Sequence, residues 1–217
     1  AEHIFGGTAL AMTGSGPISF DVPETAVRGA TYARFRISSV PNLSFDGLAA
    51  DGEVEDYLGY IQQVDFGDAP DSYGTLRQSN GPRHVVYGPT LGSLVDHDDN
   101  GQPTPGADGD DLDSVLNDEQ GVALTSLIGN GILIPGEWAT FTIDVAGGVG
   151  ADVHGWLDLN RNGTWDAGED FLHRYNVTGQ QVVSYLVPQN AQPGATYARF
   201  RVVAHNENWT PSPWGLA

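Results

Sequence analysis

The chain has 217 residues and a formal net charge of −19, with 28 Asp and Glu set against nine basic residues. All nine are Arg, and so acidic a chain excludes nucleic acid as a partner, because phosphate contacts need Lys and Arg. The absence of Cys excludes disulfides, and the absence of Lys excludes a Lys–Asn crosslink. Of the staples that small extracellular domains use, metal ions remain. The 29 Gly and 13 Pro favour many short strands separated by turns. No apolar run is long enough to span a bilayer, and no signal peptide opens the chain. The first residue is not Met, which reads as a piece taken from a longer chain.

Residues 1–60 read as short strands at Ile4–Met12, Ile18–Val22, Thr31–Ser38 and Val54–Ile61. In Thr31–Ile37, Ala33, Phe35 and Ile37 share one face, and Tyr32, Arg34 and Arg36 share the other. The arginine face reads as outward, paired with the carboxylates of Val54–Ile61. A domain boundary is expected near residue 62, where Asp65-Phe66-Gly67-Asp68-Ala69-Pro70 opens a new unit. Gly81–Tyr87 reads as a short edge strand. Further strands are expected at Val122–Ile128, Ala139–Val145, Val153–Leu159, Phe171–Tyr175, Gln181–Val187 and Thr196–Val203. Thr140–Val145 alternates as a half-buried antiparallel strand should. The pattern predicts an all-β, antiparallel β-sandwich, Ig-like or jelly-roll-like, with long acidic loops.

An internal repeat divides the chain. Gly29-Ala30-Thr31-Tyr32-Ala33-Arg34-Phe35-Arg36 recurs unchanged at Gly194–Arg201, an offset of 165 residues. That offset suits a tandem domain rather than a solenoid unit. The expected organisation is the C-terminal part of one repeat in 1–62 and the next repeat in 63–217, without its final strand. That strand is expected to be absent, disordered or supplied by another chain.

Two stretches carry metal chemistry. Residues 158–169 read D-x-N-x-N-G-x-x-D-x-x-E, the spacing of an EF-hand-type calcium loop. Calcium takes roughly six to eight hard oxygen ligands at about 2.3–2.6 Å. Asp158, Asn160 and Asn162 offer side-chain oxygens, Thr164 its carbonyl, Asp166 a direct or water-mediated contact, and Glu169 two closing oxygens. Gly163 permits the sharp turn. The flanking segments are short, aromatic and β-favouring, so the loop is expected to join two strands and to stiffen the fold rather than signal. The second stretch, 96–119, is an acidic loop matching no single template. Asp96, Asp98, Asp110, Asp111, Asp118 and Glu119 are its candidate calcium ligands, with a plain solvated loop as the alternative.

Asp51-Gly52-Glu53-Val54-Glu55-Asp56-Tyr57 resembles the signature that names the GEVED domain. Asp65–Gly74 is similar to the stretch that opens the next unit in such proteins, and Gly155–Asn160 resembles their calcium-loop strand. The resemblance implies a β-sandwich repeat, often in tandem, in large secreted or surface proteins of bacteria, with no enzyme activity. His97 and Asp98 depart from the acidic pattern such sequences often carry.

The expected function is non-enzymatic: a calcium-stiffened repeat of an extracellular surface fibre, stalk or adhesin. Its partners are neighbouring copies or repeats of the same protein, joined head-to-tail by strand complementation. The alternative is a calcium-dependent carbohydrate-binding module that engages surface glycans through Trp209 and Trp214. The hydrolase motifs G-x-S-x-G and H-E-x-x-H are absent from the sequence.

Overall fold

The computed structural model describes residues 17, 19–23, 26–112, 119–148, 150–205 and 209–215. It is predominantly β, every strand pairing is antiparallel, and no sheet closes on itself. Two compact units divide the chain, Ala1–Gln62 and Gln63–Ala217. No helix among the described residues is long and apolar enough to cross a membrane.

In the first unit, β1 (Gly29–Ile37) pairs along its whole length with β2 (Glu53–Ile61). Cross-strand neighbours sit on one face, which places Phe35 beside Tyr57 with ring centroids 5.7 Å apart. On the other face Arg34 grips both oxygens of Asp56 at 2.7 Å. The strand expected at Ile4–Met12 lies outside the described residues. Residues 19–23 carry no strand, contrary to the expectation for Ile18–Val22. Pro17 and Pro23 bound that stretch, and neither can donate to a ladder that would extend it.

The second unit holds two larger sheets. One runs β11 (Gly179–Leu186), β8 (Trp138–Ala146), β6 (Val122–Ser126), β7 (Gly129–Asn130), with β5 (Thr90–Leu91) also paired to β8. The other runs β10 (Asp170–Val177), β9 (Ala151–Leu157), β12 (Ala198–Ala204). The alternation in β8 places Ala139, Phe141, Ile143 and Val145 on its buried face. Of these, Phe141, Ile143 and Val145 join Ala151 and Val153 of β9, Leu172 of β10 and Val183 of β11 in one apolar cluster. Strands too short to show a period, β3 (Val64–Phe66) and β4 (Arg83–Val85), form a separate ladder.

Strand β9 is the pivot of this unit, since nearly all of it is buried. One face lines the main cluster. The other contributes Trp156 to a second cluster with Ala69, Tyr73 and Trp165. A Cβ on Gly155 would lie 3.1 Å from the Phe200 ring and 3.2 Å from the Leu172 Cβ, so glycine lets both neighbouring strands close on β9.

The repeat is structural as well as sequential. Arg36 donates to the carbonyls of Ser44, Asp46 and Gly47. Arg201 donates to those of Ser212, Trp214 and Gly215. Arg34 reaches the Phe45 carbonyl, as Arg199 reaches that of Pro213. In the second unit, however, the arginine face is not outward. Arg199 and Arg201 are 6% and 2% exposed, covered by residues 73–75 and 209–215. Burial lowers both guanidinium pKa values, to about 9 and about 10, with each losing further to a neighbouring arginine. Only Arg34 meets the expected GEVED-strand carboxylate.

Candidate metal centres

Residues 158–169 connect β9 to β10, adjacent antiparallel strands. Asp158 is fully buried. Its Oδ2 accepts from the Tyr73 hydroxyl at 2.6 Å and from the Gly163 amide at 3.0 Å. Its Oδ1 is buried with no hydrogen-bond donor. Gly163, at φ +82°, adopts the left-handed turn that aims its amide at Asp158. Asn160 Oδ1 accepts from the Asn162 amide and Asn162 Oδ1 from the Thr164 amide, so two Asx turns shape the loop. Both asparagine Nδ2 groups donate to Asp166 Oδ2, at 2.8 and 2.7 Å. Trp165 is buried against Tyr73, centroids 4.7 Å apart, with the Arg199 guanidinium 5.2 Å from its ring centre. Burial first, and the Asp158 hydrogen bond second, push the Tyr73 phenol far above its ordinary range. It therefore stays a donor.

The residues proposed from the loop spacing thus shape one turn, but the carboxylate oxygens of Asp158, Asp166 and Glu169 are not drawn into one cluster. Glu169 turns inward. Its Oε1 accepts from the Leu159 and Asn160 amides and its Oε2 from the Asp166 amide. It braces the loop backbone in this structure, where a closing bidentate ligand was expected, because those three amides point into the turn with no strand partner.

A gathering of carboxylates lies at the start of the unit. Among the described residues, one group of His, Asp or Glu brings its ligand atoms within 4.8 Å of one another: Asp65, Asp96, Asp98 and Asp110. Asp65 sits on β3, and the Asp98 amide donates to the Val64 carbonyl of the same strand. Asp68 shapes the intervening loop by accepting from the Gln102 and Asp110 amides, both at 3.0 Å. Gln102 Nε2 holds Asp98 Oδ1 at 2.8 Å, while Asp98 Oδ2 is buried without a donor. Burial raises the Asp98 carboxyl to about 6; Gln102 and the Phe66 amide oppose this, and the Asp110 and Asp96 charges add to it.

Of the acidic loop's candidates, Asp96, Asp98 and Asp110 are brought together. Asp111 stands outside the four, its amide donating to Asp110 Oδ1. Asp118 and the Glu119 side chain lie outside the described residues. Sequence reasoning missed Asp65. Its partners lie more than 30 residues away, and its own stretch reads as a domain opening. Trp209 is half-buried, whereas Trp214 is exposed. Trp209 meets His154 at 5.3 Å and the Arg201 guanidinium at 5.1 Å. Trp214 lies so close to Gly74 that a Cβ there would sit 2.9 Å from its ring.

No curated protein and no solved structure matches the chain. The family model of the GEVED domain matches twice, at residues 2–59 and 152–215. Those segments carry the two arginine–carbonyl clasps and the identical octapeptides, and they span more than half of the 217 residues. The chain therefore belongs to the GEVED domain family, with its two copies in tandem.

Proposed function

We propose that this chain is a non-enzymatic structural repeat, a calcium-stiffened β-sandwich of an extracellular surface fibre, stalk or adhesin. The observation that carries the reading is Asp158 Oδ1, buried and without a donor at the first ligand position of a twelve-residue loop. An ionised carboxylate oxygen out of water is costly unless a cation or donor meets it. Calcium at that oxygen, with Asn160, Asn162, the Thr164 carbonyl and Asp166 as companions, would answer the cost. Glu169 would hold the turn from behind. The sandwich reading rests on the shared cluster of the β8 and β9 sheets. With neither disulfide nor Lys-based crosslink available, an ion between two adjacent strands is a fitting staple.

Assembly follows from the same repeat. Among the described residues β12 pairs only with β9, whereas β1, carrying the same sequence, pairs with the GEVED strand β2. A β2-type strand from a neighbouring copy or repeat fits the outer edge of β12, giving head-to-tail complementation. Thermal unfolding in 1 mM Ca²⁺ and in EDTA tests the calcium reading. At about 1,000 times the dissociation constant, one ion adds about 4 kcal/mol. Asp158→Asn should remove most of the shift this loop contributes. An Asp158→Asn protein with the full wild-type shift would refute the reading.

A further inference from the structure

We propose that Asp65, Asp96, Asp98 and Asp110 form a second divalent-cation centre that fastens the irregular segment 96–110 to strand β3. It is separate from the 158–169 loop and does not require that loop to bind an ion.

Two independent observations converge. The first is that four carboxylates from three stretches of chain place ligand atoms within 4.8 Å of one another. Like charges at that separation repel, and a bound cation reverses the sign of the interaction. The second is Asp98 itself, 5% exposed, with Oδ2 buried and facing no donor. Gln102 takes the other oxygen and so fixes the carboxylate's orientation. The fold needs Asp98 Oδ2 for no contact of its own, because Asp68 already supplies the acceptors that shape the loop. All four side chains offer hard oxygens, which select calcium-like cations over softer metals. Three of the four ligands come from 96–110, and the fourth anchors them to a strand. Ion binding would therefore convert a long irregular stretch into a fixed part of the unit.

The test is calcium titration calorimetry of the whole chain after chelation, on wild type, Asp98→Asn, an Asp98→Asn/Asp110→Asn double variant, and Asp158→Asn. The proposal expects one binding event lost, or weakened at least tenfold, in the double variant and retained in Asp158→Asn. Loss in Asp158→Asn alone would overturn this centre and leave the 158–169 reading standing. Loss in the double variant alone would do the reverse. No binding by wild type would sink both. Melting of Asp98→Asn guards against a simple folding defect. In EDTA it should melt no lower than wild type, since a buried like charge has gone. In calcium it should melt lower. A variant that melts lower in both conditions by the same amount would overturn the proposal.

Discussion

Replacing Arg201 by Met separates the value of a carbonyl clasp from the value of its burial, because the chain contains the same clasp twice. Arg201 donates to the carbonyls of Ser212, Trp214 and Gly215 at 2.7–2.9 Å. Met offers no donor, so the Ser212 and Trp214 carbonyls and His84 Nε2 lose a partner, while the Gly215 carbonyl keeps the Arg83 amide. Each such group costs about 1–3 kcal/mol, and the half-covered positions of this loop place them near the lower end. Some of the loss is returned, since Met needs no stripping of water from a charge. The net expectation is a loss of about 3 kcal/mol. At a denaturant slope of about 2 kcal/mol/M, the urea midpoint of the second unit falls by about 1.5 M. Intrinsic fluorescence reads this unit alone, because all five Trp lie in it. The counterpart, Arg36→Met, removes donors at 2.6–2.8 Å from carbonyls on exposed residues. Water replaces them, so amide exchange along Gly29–Ile37 should not change measurably. If Arg36→Met opens β1 while Arg201→Met leaves the midpoint unmoved, burial is not what sets the worth of the clasp.

Three further outcomes follow from single contacts. A Cβ on Gly121 would lie 2.3 Å from the Leu91 carbonyl carbon, so Gly121→Ala should lower stability by about 1–3 kcal/mol by calorimetry; an unchanged melting temperature would contradict that close approach. Tyr73→Phe deletes a buried donor to Asp158 and should cost about 1.5–3 kcal/mol in EDTA, read by Trp fluorescence. A cost near zero would mean that the phenol does not hold that carboxylate. Burial lowers the His154 imidazole pKa, His173 adds to the shift, and Asp152 and Asp170 oppose it. The unfolded chain therefore gains the extra proton as pH falls through about 6.5, and stability drops between pH 7.5 and 5.5. His154→Phe, with calcium saturating, should show a shallower fall in urea midpoint over that window; an equal fall would remove His154 as the cause.

The sequence carried the strands whose two faces differ. Strand β8 was legible because one side of it meets the apolar cluster. The octapeptide repeat was legible because identity needs no physics to detect. What alternation could not reveal is what later covers the polar face. Arg199 and Arg201 read as outward because the covering residues 209–215 lie beyond the strand itself. Strands β3, β5 and β7 have two or three residues, too few for any period. The 158–169 loop was readable because its candidate ligands are local in sequence, yet the inward turn of Glu169 depends on which backbone amides lack partners. The convergence of Asp65 with Asp96, Asp98 and Asp110 is a product of tertiary folding, and no local spacing encodes it.

The arginine clasps also bear on how such a repeat can diversify. Each guanidinium reads carbonyl oxygens, which every residue type possesses, and ignores the side chains that carry them. The two gripped loops are Ser44-Phe45-Asp46-Gly47 and Ser212-Pro213-Trp214-Gly215, alike only at their first and last positions. A turn held in this way can exchange an acidic middle for an aromatic one and keep its path. The outward chemistry of this corner is thereby uncoupled from its scaffold, and successive copies of the repeat can each present a different face there.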